Sequence, residues 1–300
     1  MDVRRAAERL APYAHPTPLV SALLLSRELG CDLWVKNETV SPVASFKWRG
    51  ALNDILTAPS DVVTSSTGNH GQGVAWAAGV AGVRAHVFLP LGANPLKRSK
   101  IELLGARVHD TGHDLDDAKA QAMEFARERG LRFVDDGDSP GVIEGAGTIG
   151  LEIARELRPD VVFVPMGSGS LAAGIAMAMP GTRVVAVQSS GSPAMVESFH
   201  ARRAIERPIA TIADGLVCRV PAQLALDALL AHVADAMLVS DEELLDATRL
   251  MILGAHVLVE PSGAAGLAAA MRSDVRGKRV VVIATGANIT AEVFAKLARA

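Results

Sequence analysis

Three hundred residues carrying 30 Lys plus Arg against 33 Asp plus Glu have a net charge of −3, which gives no electrostatic reason to bind nucleic acid or an anionic membrane. With 49% hydrophobic and 21% charged residues, the composition is that of a globular chain long enough for a large core and about two domains. The opening MDVRRAAERLAPYA has no apolar signal region and the longest apolar run, GVAWAAGVAGV, is too short to span a bilayer, so a cytoplasmic protein without membrane contact is expected.

Residue types exclude several chemistries before any element is assigned. Cys31 and Cys218 stand alone, outside any CxxC or Cys/His cluster, and are expected to be buried free thiols. The 8 histidines show no spacing such as HExxH, so no histidine-built metal centre is expected. Tyr13, the 1 tyrosine of the chain, lies in an end segment, which argues against a tyrosine acid/base.

Along the chain, DLWVK at 32–36 is the first clear strand. SPVASFKWRG at 41–50 follows, where Ser45 is expected to cap a helix through Lys47, Arg49, Ala51, Leu52, Ile55 and Leu56. Taken alone, Lys47 is a solvated charge on that first turn. Two features oppose this: a cation sits badly at a helix N-terminus, and Phe46 and Trp48 flank it with two of the chain's few aromatics. An apolar setting is what keeps a lysine amine nucleophilic for Schiff-base chemistry.

The strand DVVTS at 61–65 leads into STGNHGQG at 66–73. That segment is either an ordinary polar turn or a set of hydroxyls, an amide, an imidazole and backbone N–H groups at a helix N-terminus, suited to a carboxylate. HGQGVAWAAGVAG, the strand AHVFLP and the helix DLDDAKAQAMEFARERG come next. GAGTIG at 145–150 matches GxGxxG, but only the short GVIE precedes it, and Met166 ends the next strand where an acidic ribose ligand is needed; NAD binding is rejected on that context.

TIGLEIAREL reads as a helix, and VVFVPM at 161–166 is the strongest strand. After it, GSGSLAAG at 167–174 offers glycines for close backbone approach, the hydroxyls of Ser168 and Ser170, and a helix N-terminus. Without a Walker lysine, a small monophosphate suits this turn better than a nucleoside triphosphate. RVVAVQSS, the helix DEELLDATRLMILG, VEPSGAAGLAA with Glu260, and RVVVIATG ending near Thr285 complete the pattern. Glu260 either caps its helix or faces a cleft, and Thr285 either satisfies local backbone or offers a neutral hydroxyl to a ring nitrogen.

Val-rich, non-alternating strands separated by helices imply an α/β protein with two open, mostly parallel sheets flanked by helices. With no repeat or linker, TAPSD near 59 and DDGDSPG near 137 are the best borders. They give a large domain of 1–59 and 137–300, an inserted small domain of 60–136, and a ligand cleft between them.

TPL at 17–19, SFKWRGAL, STGNHGQGVA, GTIGLEI, PMGSGSLAAGIA, TIADGL, VEPSGAAG and ATGAN together, in this order and over nearly the whole chain, resemble the tryptophan synthase β-like superfamily of pyridoxal-phosphate enzymes (fold type II). Within it they are most similar to the serine/threonine dehydratase and serine racemase group. The resemblance implies that Lys47 holds pyridoxal 5′-phosphate as a Schiff base with Phe46 beside it, and that Asn69 contacts the ring hydroxyl. It assigns the substrate carboxylate to Ser66, Thr67, Gly68, Asn69 and His70, the phosphate to Gly167, Ser168, Gly169, Ser170 and Leu171, the pyridine nitrogen to Thr285, and the substrate side of the ring to Glu260.

The implied activity is that of a dehydratase (ammonia-lyase) for a β-hydroxy amino acid such as threonine or serine, with Lys47, Thr67 and Glu260 as catalytic candidates. The alternatives are a serine racemase, a dehydratase of 3-hydroxyaspartate or another unusual β-hydroxy amino acid, and a non-catalytic binder of the cofactor or of amino acids. Three departures stand out. The phosphate loop is GSGSL where dehydratases usually carry four glycines, and Thr67 stands where the racemases have a serine. Gln188 and SSGSPAM replace the group's glutamate-led divalent site, so no divalent metal is expected, while a monovalent cation stays open. The resemblance also implies a homodimer. The chain stops soon after ATGANITAEVFAKLARA, which leaves no room for an appended regulatory domain, and a short, catabolic-type enzyme is expected.

Overall fold

The computed structural model describes residues 1–298. In chain order the elements are α1 (Val3–Leu10), β1 (Leu19–Ser21), α2 (Leu23–Leu29), β2 (Asp32–Asn37), α3 (Lys47–Thr57), β3 (Val62–Ser65), α4 (Asn69–Ala81), β4 (Ala85–Leu89) and α5 (Pro95–Leu103). Then follow β5 (Arg107–Asp110), α6 (Leu115–Arg129), β6 (Arg132–Phe133), α7 (Pro140–Glu156), β7 (Val161–Pro165), α8 (Ser170–Ala178), β8 (Arg183–Ser189) and α9 (Ala194–Ala201). The last elements are α10 (Gln223–His232), β9 (Asp235–Val239), α11 (Asp241–Gly254), α12 (Ala265–Met271), β10 (Arg279–Ala284) and α13 (Ala291–Ala298).

The strands form two sheets, a six-stranded one in the order β1-β2-β10-β7-β8-β9 and a four-stranded one in the order β5-β4-β3-β6. Every pairing is parallel except β1 with β2. Buried positions run without alternation along β4, β7 and β10, as expected of strands covered on both faces. The large sheet carries a core on each side, one around Val35, Phe163 and Val282 and the other around Val162, Ile175 and Ile283. The core of the small sheet joins Val62, Val87 and Leu89 to Val43, Trp48, Leu52 and Val142, so α3 and the start of α7 pack with β3 and β4.

GAGTIG lies in the middle of α7, not in a strand-to-helix turn. Its glycines serve helix packing: a Cβ at Gly145 would lie 2.4 Å from the Arg49 carbonyl of α3, and one at Gly147 would lie 2.6 Å from the Gly174 carbonyl of α8. Nearby, four charges are buried together. Lys36 Nζ lies 2.6 Å from Glu152 Oε2, Arg49 Nε 2.9 Å from Glu38 Oε2 and Arg49 Nη1 2.5 Å from Glu152 Oε1. Two cations balanced by two carboxylates satisfy the requirement that buried charge be paired. The cluster ties α3 to β2 and α7, and it fixes the helix that begins with Lys47.

Candidate active site

Parallel β7 and β10 are neighbours, so their C-terminal ends, Pro165 and Ala284, deliver Gly167 and Thr285 to one edge of the large sheet, where ligands collect in open α/β folds. Lys47 reaches the same edge through its backbone. Phe46 N–H donates to the Thr285 carbonyl at 3.0 Å, Ala287 N–H to the Ala44 carbonyl at 2.9 Å, and Ser45 bridges Gly286. The expected Ser45 cap is not formed. Phe46 occupies the N-cap position of α3 without a side-chain hydrogen bond, because Ser45 N–H and carbonyl are both taken by Ser41 Oγ, at 2.8 and 2.7 Å.

The result is a recess of about 270 Å3 lined by Phe46, Lys47, Gly167, Ser168, Gly169, Leu171 and Thr285, with Pro165 and Gly215. Lys47 Nζ lies 4.9 Å from the centroid of the Phe46 ring. Asn69 stands beside the recess, its Nδ2 donating to Glu260 Oε1 at 2.7 Å and its Oδ1 accepting from Asn288 Nδ2 at 2.7 Å. Ser66, Thr67 and Gly68 precede α4 outside the lining, and among the described residues, its chain neighbours aside, nothing lies within 4 Å of a Cβ at Gly68. His70 is buried with Nε2 3.1 Å from the Val134 carbonyl. Glu260 faces a second recess, of about 510 Å3, shared with Lys97, Asp214 and Asn288. Burial and the charge of Asp214 push its carboxyl up to about 7 against the hydrogen bond from Asn69 and the charge of Lys97.

The residues present fit a phosphorylated aldehyde cofactor. A Cβ at Gly167 would lie 2.7 Å from the Gly215 carbonyl, and Gly169 has φ +97 with a Cβ position 2.9 Å from Leu229 Cδ1, so both positions require glycine for the backbone to curl this tightly. Gly169 caps α8 without a side-chain hydrogen bond, which leaves the N–H groups of the first turn for an anion. An amine, an anion cradle and a neutral hydroxyl therefore share one recess.

Sequence reasoning missed Asp136. It sits in the loop between β6 and α7, and both its carboxylate oxygens lie 2.6 Å from Lys47 Nζ. Burial in the cleft opposes its charge, but the Lys47 ammonium, the His70 ring and the hydrogen bonds from Lys47 hold its carboxyl at about 2. Its backbone carbonyl accepts from Ser168 Oγ at 3.1 Å and also from Ser170 Oγ, so one residue joins the lysine to the anion cradle. The only signal was the run DDGDSP, which reads as a polar turn.

The model of a family described as "Pyridoxal-phosphate dependent enzyme" matches residues 10–286. L-Threonine ammonia-lyases of Thermotoga maritima and Geobacter sulfurreducens are each 36% identical, over 96% and 95% of this chain and 75% and 74% of their own lengths. Among solved structures, the processed form of threonine deaminase isoform 2 from Solanum lycopersicum superposes with a TM-score of 0.91 at 30% identity, over 98% of this chain and 92% of its own. Maize serine racemase does so with a TM-score of 0.92 at 30% identity, over 98% and 94%.

Proposed function

The chain belongs to the pyridoxal-phosphate dependent enzyme family, and from that premise we propose that it is an ammonia-lyase for a β-hydroxy amino acid, threonine or serine, releasing a 2-oxo acid and ammonia. The observation that carries the reading is the recess where the Lys47 amine, the cradle at 167–171 and the Thr285 hydroxyl meet. The names of the ammonia-lyase relatives, matched along nearly the whole chain, support the same reaction. When bound, pyridoxal 5′-phosphate supplies the electron sink that lets a proton leave the α-carbon.

The chain's residues supply the rest. Gly167 to Leu171 hold the phosphate with backbone N–H groups, Lys47 provides the attachment point, and Asn69 and Thr285 orient the ring through neutral groups. Ser66, Thr67, Gly68 and His70, around the N-terminus of α4, take the substrate carboxylate with Asn69. Once its amine is free, Lys47 Nζ is the atom that takes the α-proton, and the ammonium so formed would supply the proton with which the hydroxyl leaves as water. Glu260 keeps Asn69 in place through a 2.7 Å hydrogen bond. The carboxylate of Asp136 beside Nζ opposes a second carboxylate on the substrate, which favours threonine or serine over 3-hydroxyaspartate.

The homodimer and the cytoplasmic location implied by the family resemblance belong to this proposal, and sedimentation of the purified protein tests the first. Incubating the cofactor-loaded protein separately with L-threonine, L-serine and threo-3-hydroxyaspartate while measuring 2-oxo acid tests the reaction. Oxo acid from threonine or serine supports it, and its absence with all three refutes it. Maize serine racemase superposes on the chain, so chiral analysis of residual serine in the same assay reads the racemase alternative.

A further inference from the structure

Asp136 bears on substrate choice but takes part in no proton transfer of the proposed reaction, yet it is the hydrogen-bond partner of the residue on which that reaction turns. Its two carboxylate oxygens lie 2.6 Å from Lys47 Nζ, and among the described residues Nζ makes its hydrogen bonds to Asp136 alone. The loop that carries Asp136 is built rigidly. Asp135 accepts from Gly137 N–H at 2.8 Å and Asp138 N–H at 2.9 Å, its own N–H donates to Ser139 Oγ at 2.9 Å, and its carboxylate pairs with Lys119 of α6 at 2.6 Å. The Asp136 carbonyl is held by the two serines of the anion cradle. The backbone that carries Asp136 is thus held independently of Lys47, and its short side chain has fewer rotamers to lose than the lysine it meets.

On the other side, His70 of α4 places Nδ1 3.4 Å from Asp136 Oδ1, with Nε2 3.1 Å from the Val134 carbonyl. Among the described residues Nδ1 itself has no hydrogen-bond partner. The titratable groups around Asp136 are thus Lys47 from α3, His70 from α4, the Lys119–Asp135 pair of α6 with its loop, and the Cys218 thiol beyond them. Lys47 alone among them is a full cation in direct contact.

We infer that Asp136 is the counter-ion and positioning residue of Lys47: its carboxylate, in contact with Nζ, holds that nitrogen at the head of the recess whether the amine is attached or released. This rests on the proposed function, since it presumes that Lys47 carries the cofactor. With the cofactor bound, the carboxylate beside this nitrogen would favour a proton on the linkage. When the substrate's amino group releases Nζ, the carboxylate retains it within reach of the α-carbon. The proton taken from that carbon then resides on Nζ as an ammonium paired with Asp136, and it leaves with the departing hydroxyl as water, restoring the neutral amine.

The test is a pH titration of the visible absorbance of the cofactor-loaded protein, in wild type and in Asp136→Asn and Asp136→Glu, beside steady-state kinetics. In Asp136→Asn the pH midpoint for loss of the linkage proton falls by at least about one unit, because an opposite charge at contact distance shifts a pKa by roughly 1–3 units. Its kcat falls by about tenfold or more with KM changed by less than about twofold, the pattern of a lost interaction that matters after binding. Asp136→Glu restores most of the midpoint, which loss of loop structure would not allow. A wild-type midpoint and kcat in Asp136→Asn overturn the inference and leave the reaction intact. No visible band in the loaded wild type overturns both.

Discussion

Glu260 is 3% exposed, and its carboxyl rises from 4.5 to about 7 through burial and the charge of Asp214. At about 1.36 kcal/mol per unit, that rise corresponds to about 3 kcal/mol. Below pH 4.5 the carboxyl is protonated in both folded and unfolded chains and costs nothing. Between 4.5 and about 7 the unfolded chain releases the proton while the folded chain retains it, so stability falls as pH rises, and above about 7 the full cost is present. Glu260→Gln is neutral at every pH and still offers an oxygen to Asn69. Urea unfolding of the cofactor-free proteins, followed by tryptophan fluorescence, should give similar stabilities at about pH 4 and an advantage to the variant of about 3 kcal/mol at about pH 8. A difference between the two proteins that does not change with pH would refute the placement of Glu260 as a buried carboxyl held protonated in the fold.

Three further outcomes follow from the geometry. Glu152→Gln leaves Lys36 and Arg49 buried with Glu38 alone, and should lose about 3–5 kcal/mol in the same denaturation assay. Because Lys36 and Arg49 hold the Glu152 carboxyl below its usual range against burial, the wild-type advantage is fully present above the ordinary glutamate pKa and declines as pH falls below it; a loss that does not vary across acid pH contradicts this. Gly167→Ala puts a Cβ 2.7 Å from the Gly215 carbonyl, so pyridoxal-phosphate binding, titrated by fluorescence, should weaken at least about tenfold, or about 1.4 kcal/mol, and an unchanged affinity argues against the cradle. Gln188 spends its amide on Met195 N–H and Val196 N–H, both at 3.1 Å, and on the Leu216 carbonyl at 3.3 Å. Dialysis against a chelator should therefore leave oxo-acid production intact, and a loss restored by magnesium would contradict this.

Much of the large sheet was legible because its strands are buried on both faces: VVFVPM and RVVVIATG announce themselves without alternation, and the turns after them fall at the strand ends where ligands gather. The short strands were not. β1, β5 and β6 have 3, 4 and 2 residues, too few for a period to register. α7 begins at Pro140, well before TIGLEIAREL, because its glycine-rich first half is helical through packing on α3 and α8, against local propensity. Ser45 has the residue type of a cap, but its backbone is engaged by Ser41 and Gly286. The cysteines, expected to be buried, are free but only partly buried. Asp136 was invisible because its partner lies 89 residues away, and no local pattern encodes such a meeting.

The claim on which the rest depends is that Lys47 is the residue that carries the cofactor. Borohydride reduction of the pyridoxal-phosphate-loaded protein, followed by peptide mass spectrometry, tests it directly, since reduction fixes the cofactor to whichever amine holds it. A phosphopyridoxyl group on the peptide containing Lys47, absent from Lys47→Ala, is the expected result. The same modification on another lysine, or none at all, would contradict it.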